Sequence, residues 1–261
     1  MPTRLDSLDR ALSILCSFTK ERPEWGVSEL ARHLKLHKSR VHRALKVLER
    51  RGFILKNHIN SKYRLGLKLL ELAAVLEERF DLKVVARPYL AELSKKINAT
   101  VLLRVKDGLD SLVIESVESQ SPLRMVRPVG SRIPCYCGAP GKVHLAFLPQ
   151  DELEEALGKI DLVKFTDKSI TDKERFLKEL RRVRRYGYAF SDEEAIRGVR
   201  SVAVPIIDGT GRVVAVISIG MPKEELPLKR VPEVVRLAKE AASQISERLK
   251  GGPVEGAGAV R

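Results

Sequence analysis

The stretch from Val27 to Arg51, VSELARHLKLHKSRVHRALKVLERR, constrains the chain more than any other. It predicts two short helices joined by a tight turn. Ser28 is a good N-cap, set before Glu29, where the positive end of a helix dipole favours an acid. The first helix is expected over Glu29 to Leu34, the connection at Lys35-Leu36-His37, and the second helix over Lys38 to Arg51. In the second helix Val41, Ala44, Leu45 and Leu48 recur at three- and four-residue steps and make one apolar stripe. The opposite face collects Lys38, Ser39, Arg40, His42, Arg43, Lys46 and Arg50. A basic amphipathic helix is most often a solvated surface, so this segment needs support from its neighbours. Gly52 closes the helix. Phe53 to Lys56 and Tyr63 to Leu65 then read as two short strands around His58-Ile59-Asn60-Ser61, a small basic hairpin. A helix, a helix-turn-helix and a basic hairpin in that order predict a winged helix-turn-helix whose second helix enters a DNA major groove.

Charge supports that reading through its distribution. Residues 1 to 66 hold fifteen Lys and Arg against six acids, +9 of the chain's +14 in a quarter of its 261 residues. A basic excess confined to one small domain is the footprint of phosphate contact, whereas uniform charge would indicate solubility alone. The length suits two domains. With no apolar run long enough to span a bilayer and no secretory signal, the expected location is cytoplasmic. Three cysteines, Cys16, Cys135 and Cys137, at no disulfide-framework spacing fit a reducing compartment.

Taken in order, Ser7 to Lys20 is the first expected helix, with Leu8, Ala11, Leu12, Leu15 and Phe18 inward and Cys16 partly buried. After Gly66 a helix leads out of the domain. It shows more apolar surface than a small domain covers, which points either to a second copy of the chain or to its own second domain. The second domain is expected to open with a helix from Asp81 to Ile97, Val84, Val85, Leu90, Leu93 and Ile97 inward, with Pro88 kinking or dividing it. TVLLRVK and SLVIESVES flank a hairpin turn at Asp107-Gly108-Leu109-Asp110. Leu123 to Pro128 is a third extended segment. Helices follow from near Gly141 to before Pro149, over Glu152 to Leu157, and over Asp172 to Arg185 with a capping box at Thr171 to Glu174. Three more strands, Gly187 to Asp192, Ser201 to Ile207 and Val213 to Gly220, precede a last helix near Lys229 to Lys250. The expected fold class is α+β, an antiparallel sheet with flanking helices. The expected domains are 1–66, a linker helix at 67–80, a second domain at 81–250 and a disordered tail at 251–261.

The second domain has no nucleophile elbow, phosphate loop or HExxH. Gly138-Ala139-Pro140-Gly141-Lys142 puts glycines ahead of a helix N-terminus, where free N–H groups receive carboxylates or phosphates; such glycines also serve as plain turns. Asp192 with Glu193 and Glu194 closes a strand, a place where acids are usually solvated. Ser218 alternates with Ile217 and Ile219, so its hydroxyl faces the other side of the sheet, where a serine is commonly structural. Cys135, Cys137, His144 and Asp192 have the donor types of a zinc site, although CxC is a weak signal and pocket lining is the simpler reading.

Several ordered segments together resemble the IclR family of transcription regulators: LDRALSIL, VSELARHLKLHKSRVHRALKVLERRGFI, YRLGLKLLELA, VGSRIP, GKVHLAFLP, YGYAFSDEEAIRGVRSVAVPI and VVAVISIGMP, over roughly residues 5 to 250. The resemblance implies a winged helix-turn-helix, a linker helix and a GAF-like domain that binds a small, often acidic metabolite. It also implies a homodimer or dimer of dimers that controls catabolic operons. It places the start of the recognition helix at Lys38, Ser39, Arg40, His42 and Arg43, and the effector pocket at Cys135, Cys137, Gly138, Ala139, Pro140, Gly141, Asp192, Ser201 and Ser218. The chain departs from the family at Arg40, often Thr, at Tyr136-Cys137, commonly His-Ala, and at Gly220, a hydroxyl in some relatives.

The expectation is therefore a ligand-responsive regulator with no enzymatic activity and no cofactor. Its partners are an operator in double-stranded DNA and a small effector, with no membrane. Arg40 and Arg43 are expected at base edges and Lys38, Lys46, Lys56 and Lys62 at phosphates, with Ser28, Ser39 and His42 also in the DNA-binding surface. A metal sensor using the cysteine pair and a DNA-anchored enzyme are the rivals; the latter lacks a nucleophile beside a base.

Overall fold

The computed structural model describes residues 7–78, 81–121 and 124–249. They belong to two compact units, within residues 1–79 and 80–261. The expected tail, 251–261, lies outside the described residues.

The smaller unit consists of α1 (Ser7–Cys16), α2 (Val27–His33), α3 (Lys38–Arg50), β1 (Ile54–Lys56), β2 (Tyr63–Leu65) and α4 (Lys68–Glu78). Its core joins Ile14, Trp25, Leu30, Val41, Leu45, Leu48, Ile54 and Tyr63. The first helix ends four residues earlier than its composition suggests: Ser17 and Phe18 donate to Ile14 and Leu15 in a tightened last turn, Thr19 donates to the Arg22 carbonyl, and the Trp25 indole donates to the Ser17 carbonyl at 2.8 Å. Ile14 is the buried residue of α1, and Ala11, Leu15 and Phe18 of the expected stripe pack against the core, while Leu8, Leu12 and Cys16 are exposed, against expectation. Helix α2 is capped from Gly26 rather than Ser28: the Glu29 carboxylate accepts the Gly26 N–H at 2.9 Å. Lys35 turns the chain between α2 and α3 at φ 53°, a left-handed conformation that usually falls to glycine.

Strands β1 and β2 pair antiparallel, Ile54 opposite Leu65 and Lys56 opposite Tyr63. Trp25 extends this wing by exchanging both backbone hydrogen bonds with Tyr63, at 2.9 and 2.8 Å. Where the wing returns to α3 the backbones touch: a Cβ on Gly66 would lie 2.2 Å from the Gly52 carbonyl oxygen, so only glycine fits. Along α4, Leu67 just before it, Leu70, Leu72 and Val75 are exposed.

The larger unit is a six-stranded antiparallel sheet with helices on both faces. In chain order it has α5 (Asp81–Ile97), β3 (Val101–Asp107), β4 (Asp110–Val117), β5 (Arg132–Pro134), α6 (Gly138–Ala146), α7 (Gln150–Lys159), α8 (Lys173–Tyr186), β6 (Ala189–Asp192), β7 (Val199–Ile207), β8 (Val213–Pro222) and α9 (Val231–Leu249). The strand order is β5-β4-β3-β8-β7-β6. One core lies between the sheet and α5 with α9, built on Leu90, Leu93, Ile97, Val204, Ile217 and Ile245. The other lies under α6, α7 and α8, built on Val143, Leu145, Phe176, Leu180, Ala203 and Val216. Alternation along each strand feeds both cores.

Several expectations are corrected. Helix α5 runs through Pro88 unbroken, and Val84 is exposed where Leu82 and Ala86 are buried. Residue 123 of the expected third strand is outside the described residues, and 124–128 form no strand; the third strand of the sheet in chain order is the short edge strand β5. Asp172, not Thr171, caps α8, its carboxylate accepting the Arg175 N–H at 2.7 Å.

Candidate functional site

Two surfaces carry the chemistry. On the smaller unit, burial of Val41, Leu45 and Leu48 turns the opposite side of α3 outward, so Lys38, Ser39, Arg40, His42, Arg43 and Lys46 are all exposed. The unit's ion pairs among the described residues join Arg22 and Lys62 to Glu29 and Lys68 to Glu71; none involves a cation of α3. The N-terminus of α3 has neither a side-chain cap at His37 nor an acid in its first turn. Its free N–H groups and Lys38 therefore concentrate positive potential at one spot, a poor arrangement for helix stability and a good one for an anion. Ser28 and Lys56 are exposed too. Lys62 is half-buried, its Nζ 3.6 Å from Glu29, so it is less free than Lys56.

On the larger unit, α6 begins at Gly138, three residues before the expected start, so Gly138, Ala139, Pro140 and Gly141 form its first turn rather than a loop ahead of it. All nine residues of α6 are buried. Its backbone rests on the end of β5: a Cβ on Gly141 would lie 2.2 Å from the Cys135 carbonyl oxygen. Facing α6 are Ser201, Ala203, Val216, Ser218 and Gly220, which the register places side by side on β7 and β8. On β3 Arg104 stands opposite Val216 on this face. Arg104 is 5% exposed, its Nε donating to the Ser218 hydroxyl at 3.1 Å and an Nη to the Ser111 carbonyl at 3.0 Å. The segment 124–130 reaches the same face, Met125 lying 3.7 Å from where a Gly220 Cβ would stand.

Asp192 is placed elsewhere. It is opposite Arg200, one residue out of step with the Ser191–Ser201 pair, and so points to the other side of the sheet. Its carboxylate accepts from Arg200 at 2.6 Å and Lys168 at 3.1 Å, which hold its pKa below the ordinary value. There it borders a cavity of about 350 Å³ with Glu179, Phe190, Glu194 and α8. Between the two regions lies Lys142, fully buried, its ammonium donating to Glu194 at 2.8 Å, the Phe190 carbonyl at 2.9 Å and Glu179 at 3.3 Å. Burial raises the Glu194 pKa, with Lys142 opposing.

The zinc arrangement is not assembled: among the described residues no three His, Cys, Asp or Glu side chains form a group able to hold a metal ion. Burial pushes the Cys135 thiol up to about 12 and Cys137 to about 11, so both are protonated thiols at neutral pH. His144 meets Ser111 Oγ at 3.1 Å and is held neutral, its pKa brought down to about 3 by burial and then by Arg104 and Lys106.

Arg104 has no place among the sequence-derived site residues, and Lys142 and Glu194 appear there only within candidate stretches, with no pairing between them. The signals existed: Arg104 interrupts an apolar strand, and Lys142 is a lone cation in GAPGKVHLA.

Comparison with known proteins identifies both units. Residues 7–58 match the IclR helix-turn-helix domain, and residues 74–247 match the family described as Bacterial transcriptional regulator IclR C-terminal. The chain is 34% identical to the HTH-type transcriptional regulator KdgR of Escherichia coli K12 over 95% of this chain and 94% of that one. It is likewise 34% identical to XynR of the same organism, over 82% and 85%. Among solved structures, the Thermotoga maritima IclR superposes with a TM-score of 0.77 at 32% identity, over 94% of this chain and 99% of that one. An IclR homolog from Microbacterium hydrocarbonoxydans, crystallised with 4-hydroxybenzoate, gives a TM-score of 0.84 at 26% identity, over 95% and 100%. No helix among the described residues is long and apolar enough to cross a membrane. The chain belongs to the IclR family and is a ligand-responsive, DNA-binding transcriptional regulator, not an enzyme.

Proposed function

We propose that α3 is the recognition helix, with Arg40 and Arg43 reading base edges. Lys38, Ser39, His42, Lys46 and the wing residue Lys56 position it on phosphates, with Ser28 and Lys62 at the margin. The observation that carries this reading is the row of α3 cations with no ion pair inside the unit, beginning at a helix N-terminus that nothing caps. Arg40 is suited to guanine, whose O6 and N7 accept a guanidinium fork.

The protein acts as a homodimer or a dimer of dimers in the cytoplasm, on an operator of a catabolic operon. The exposed apolar residues Leu8 and Leu12 of α1, and Leu67, Leu70, Leu72 and Val75 along α4, support self-association, since such patches on a small unit mark interaction surfaces. The effector binds the larger unit at the start of α6, against Ser201 and Ser218. The 4-hydroxybenzoate complex of a 26% identical relative supports a small organic molecule as the effector. The ligand must bind one dimer arrangement better than another, because equal affinity shifts no equilibrium.

The test is a fluorescence-anisotropy titration of Arg40→Ala against operator DNA and a single-base-pair variant series. Arg40→Ala is expected to cost about 1 to 3 kcal/mol on the operator and to relax preference at one base pair. Unchanged operator affinity would refute this docking.

A further inference from the structure

Strand β3 is central in the sheet and covered on both faces, yet it carries Arg104 at its middle. The two groups that receive its hydrogen bonds, the Ser218 hydroxyl and the Ser111 carbonyl, are neutral. None of the ion pairs among the described residues involves Arg104. Burial, with Arg127 second, brings its pKa down only to about 10, so the guanidinium is charged at neutral pH. A buried cation facing only neutral dipoles is an arrangement that proteins avoid unless something else completes it.

Three observations on the same face indicate what completes it. Ser116, opposite Leu102 and hence beside Ser218 across β3, has a buried hydroxyl oxygen with no hydrogen-bond partner among the described residues. Arg127, half-buried on the segment that brings Met125 over Gly220, also takes part in none of the described ion pairs, and its charge is felt by both Arg104 and the Cys137 thiol. Cys137 is the N-cap residue of α6, so the positive end of that helix dipole points to the same neighbourhood.

We propose that Arg104, together with Arg127, is the anion-binding element of the effector site and holds a carboxylate of the ligand on the face of the sheet that α6 covers. This rests on the reading of the larger unit as effector-binding and names the groups that recognise the ligand's charged end. Arg104 keeps one guanidinium edge for the ligand once Ser218 and Ser111 have fixed its plane, and the Ser116 hydroxyl is a second donor. The neutral Ser201 and Ser218 then face the remainder of the molecule.

The full-length protein is melted in sodium acetate and in sodium chloride at equal ionic strength, with acetamide as the neutral isostere, for the wild type, Arg104→Met, Arg104→Lys and Arg127→Met. Acetate is expected to raise the melting point of the wild-type larger unit by a few degrees over chloride, and acetamide to leave it unmoved. Arg104→Met is expected to melt in chloride no lower than the wild type, because an uncompensated charge has gone, and to lose the acetate response. Arg104→Lys keeps part of it, and Arg127→Met loses at least half. The proposal is overturned by an acetate response that survives in Arg104→Met and Arg127→Met, by equal stabilisation from acetamide, or by a wild type indifferent to acetate. If Arg104→Met does not fold, Arg104→Lys and Arg127→Met decide the matter alone. Operator binding and the Arg40→Ala titration need no effector, so failure here leaves the reading of α3 standing.

Discussion

Replacing Lys142 by methionine takes away a charge that the larger unit has buried completely. Its three ammonium protons have three acceptors, Glu194, the Phe190 carbonyl and Glu179. Glu179 keeps Arg182, which donates to it at 2.9 and 3.2 Å, so the loss falls on Glu194, whose side chain is 15% exposed. Breaking one partner from a buried pair costs about 3 to 5 kcal/mol. At about 2 to 4 °C per kcal/mol for a domain of this size, a cost of about 3 kcal/mol lowers the melting point by roughly 10 °C. The pH dependence gives the sharper check. Burial already raises the Glu194 pKa with Lys142 opposing, and removing Lys142 raises it further. A carboxyl whose folded pKa lies above its unfolded value adds stability at low pH that is lost as pH rises through the folded pKa. The deficit of Lys142→Met is therefore largest near pH 8 and shrinks towards pH 5, as Glu194 takes up a proton. Far-UV circular dichroism follows both units, whereas Trp25, the only tryptophan, reports the smaller unit alone and should not move. Adding Glu194→Gln should restore at least half the loss. A deficit under about 1 kcal/mol, or one independent of pH, would show that Lys142 is not the counter-charge described.

Two close approaches make opposite units fail: Gly66→Ala would press a Cβ onto Gly52 and lower the Trp25 transition, whereas Gly141→Ala would press one onto Cys135 and lower only the larger unit. Each is expected to cost about 3 kcal/mol, read by paired fluorescence and circular dichroism melts. His144, neutral in the fold with a pKa of about 3, must take up a proton on unfolding in acid. Its folded pKa lies below the unfolded value, so the larger unit should lose up to about 1.4 kcal/mol per pH unit below about pH 6.5, a slope that His144→Asn reduces.

The smaller unit was legible because periodicity, a closing glycine and a short basic hairpin follow one another within forty residues, each a local signal. What escaped was non-local. Trp25 carries no such local signal, yet its indole bonds the chain just after α1 at Ser17 and its backbone extends the wing through Tyr63. The same limit explains α6: nothing in GAPGK distinguishes a turn before a helix from a helix's own first turn until the helix is seen resting on Cys135. Asp192 shows the cost of a single-residue step. The sequence places it on a strand between Ser191 and Glu193, and only the pairing of Ser191 with Ser201 assigns it to the side away from α6.

Charges follow the same division. On α3 they are read directly, because an apolar stripe on one side of a helix leaves the other side for water or DNA, and the exposed row from Lys38 to Lys46 is what that rule requires. In the sheet domain the rule inverts. A strand covered on both faces has no solvent side, so Arg104 among Leu102, Leu103 and Val105 must be enclosed, as Lys142 must be within an all-buried helix. Enclosure alone does not tell the two apart; the partners do. Lys142 has two carboxylates and is finished within the chain, a brace between α6 and the strand end at Glu194. Arg104 has none among the described residues, and the difference between a completed and an uncompleted buried cation is what separates a structural ion pair from a place prepared for an anion. The two variants should accordingly move stability in opposite senses: Lys142→Met downward, because it strands Glu194, and Arg104→Met level or upward when no anion is present.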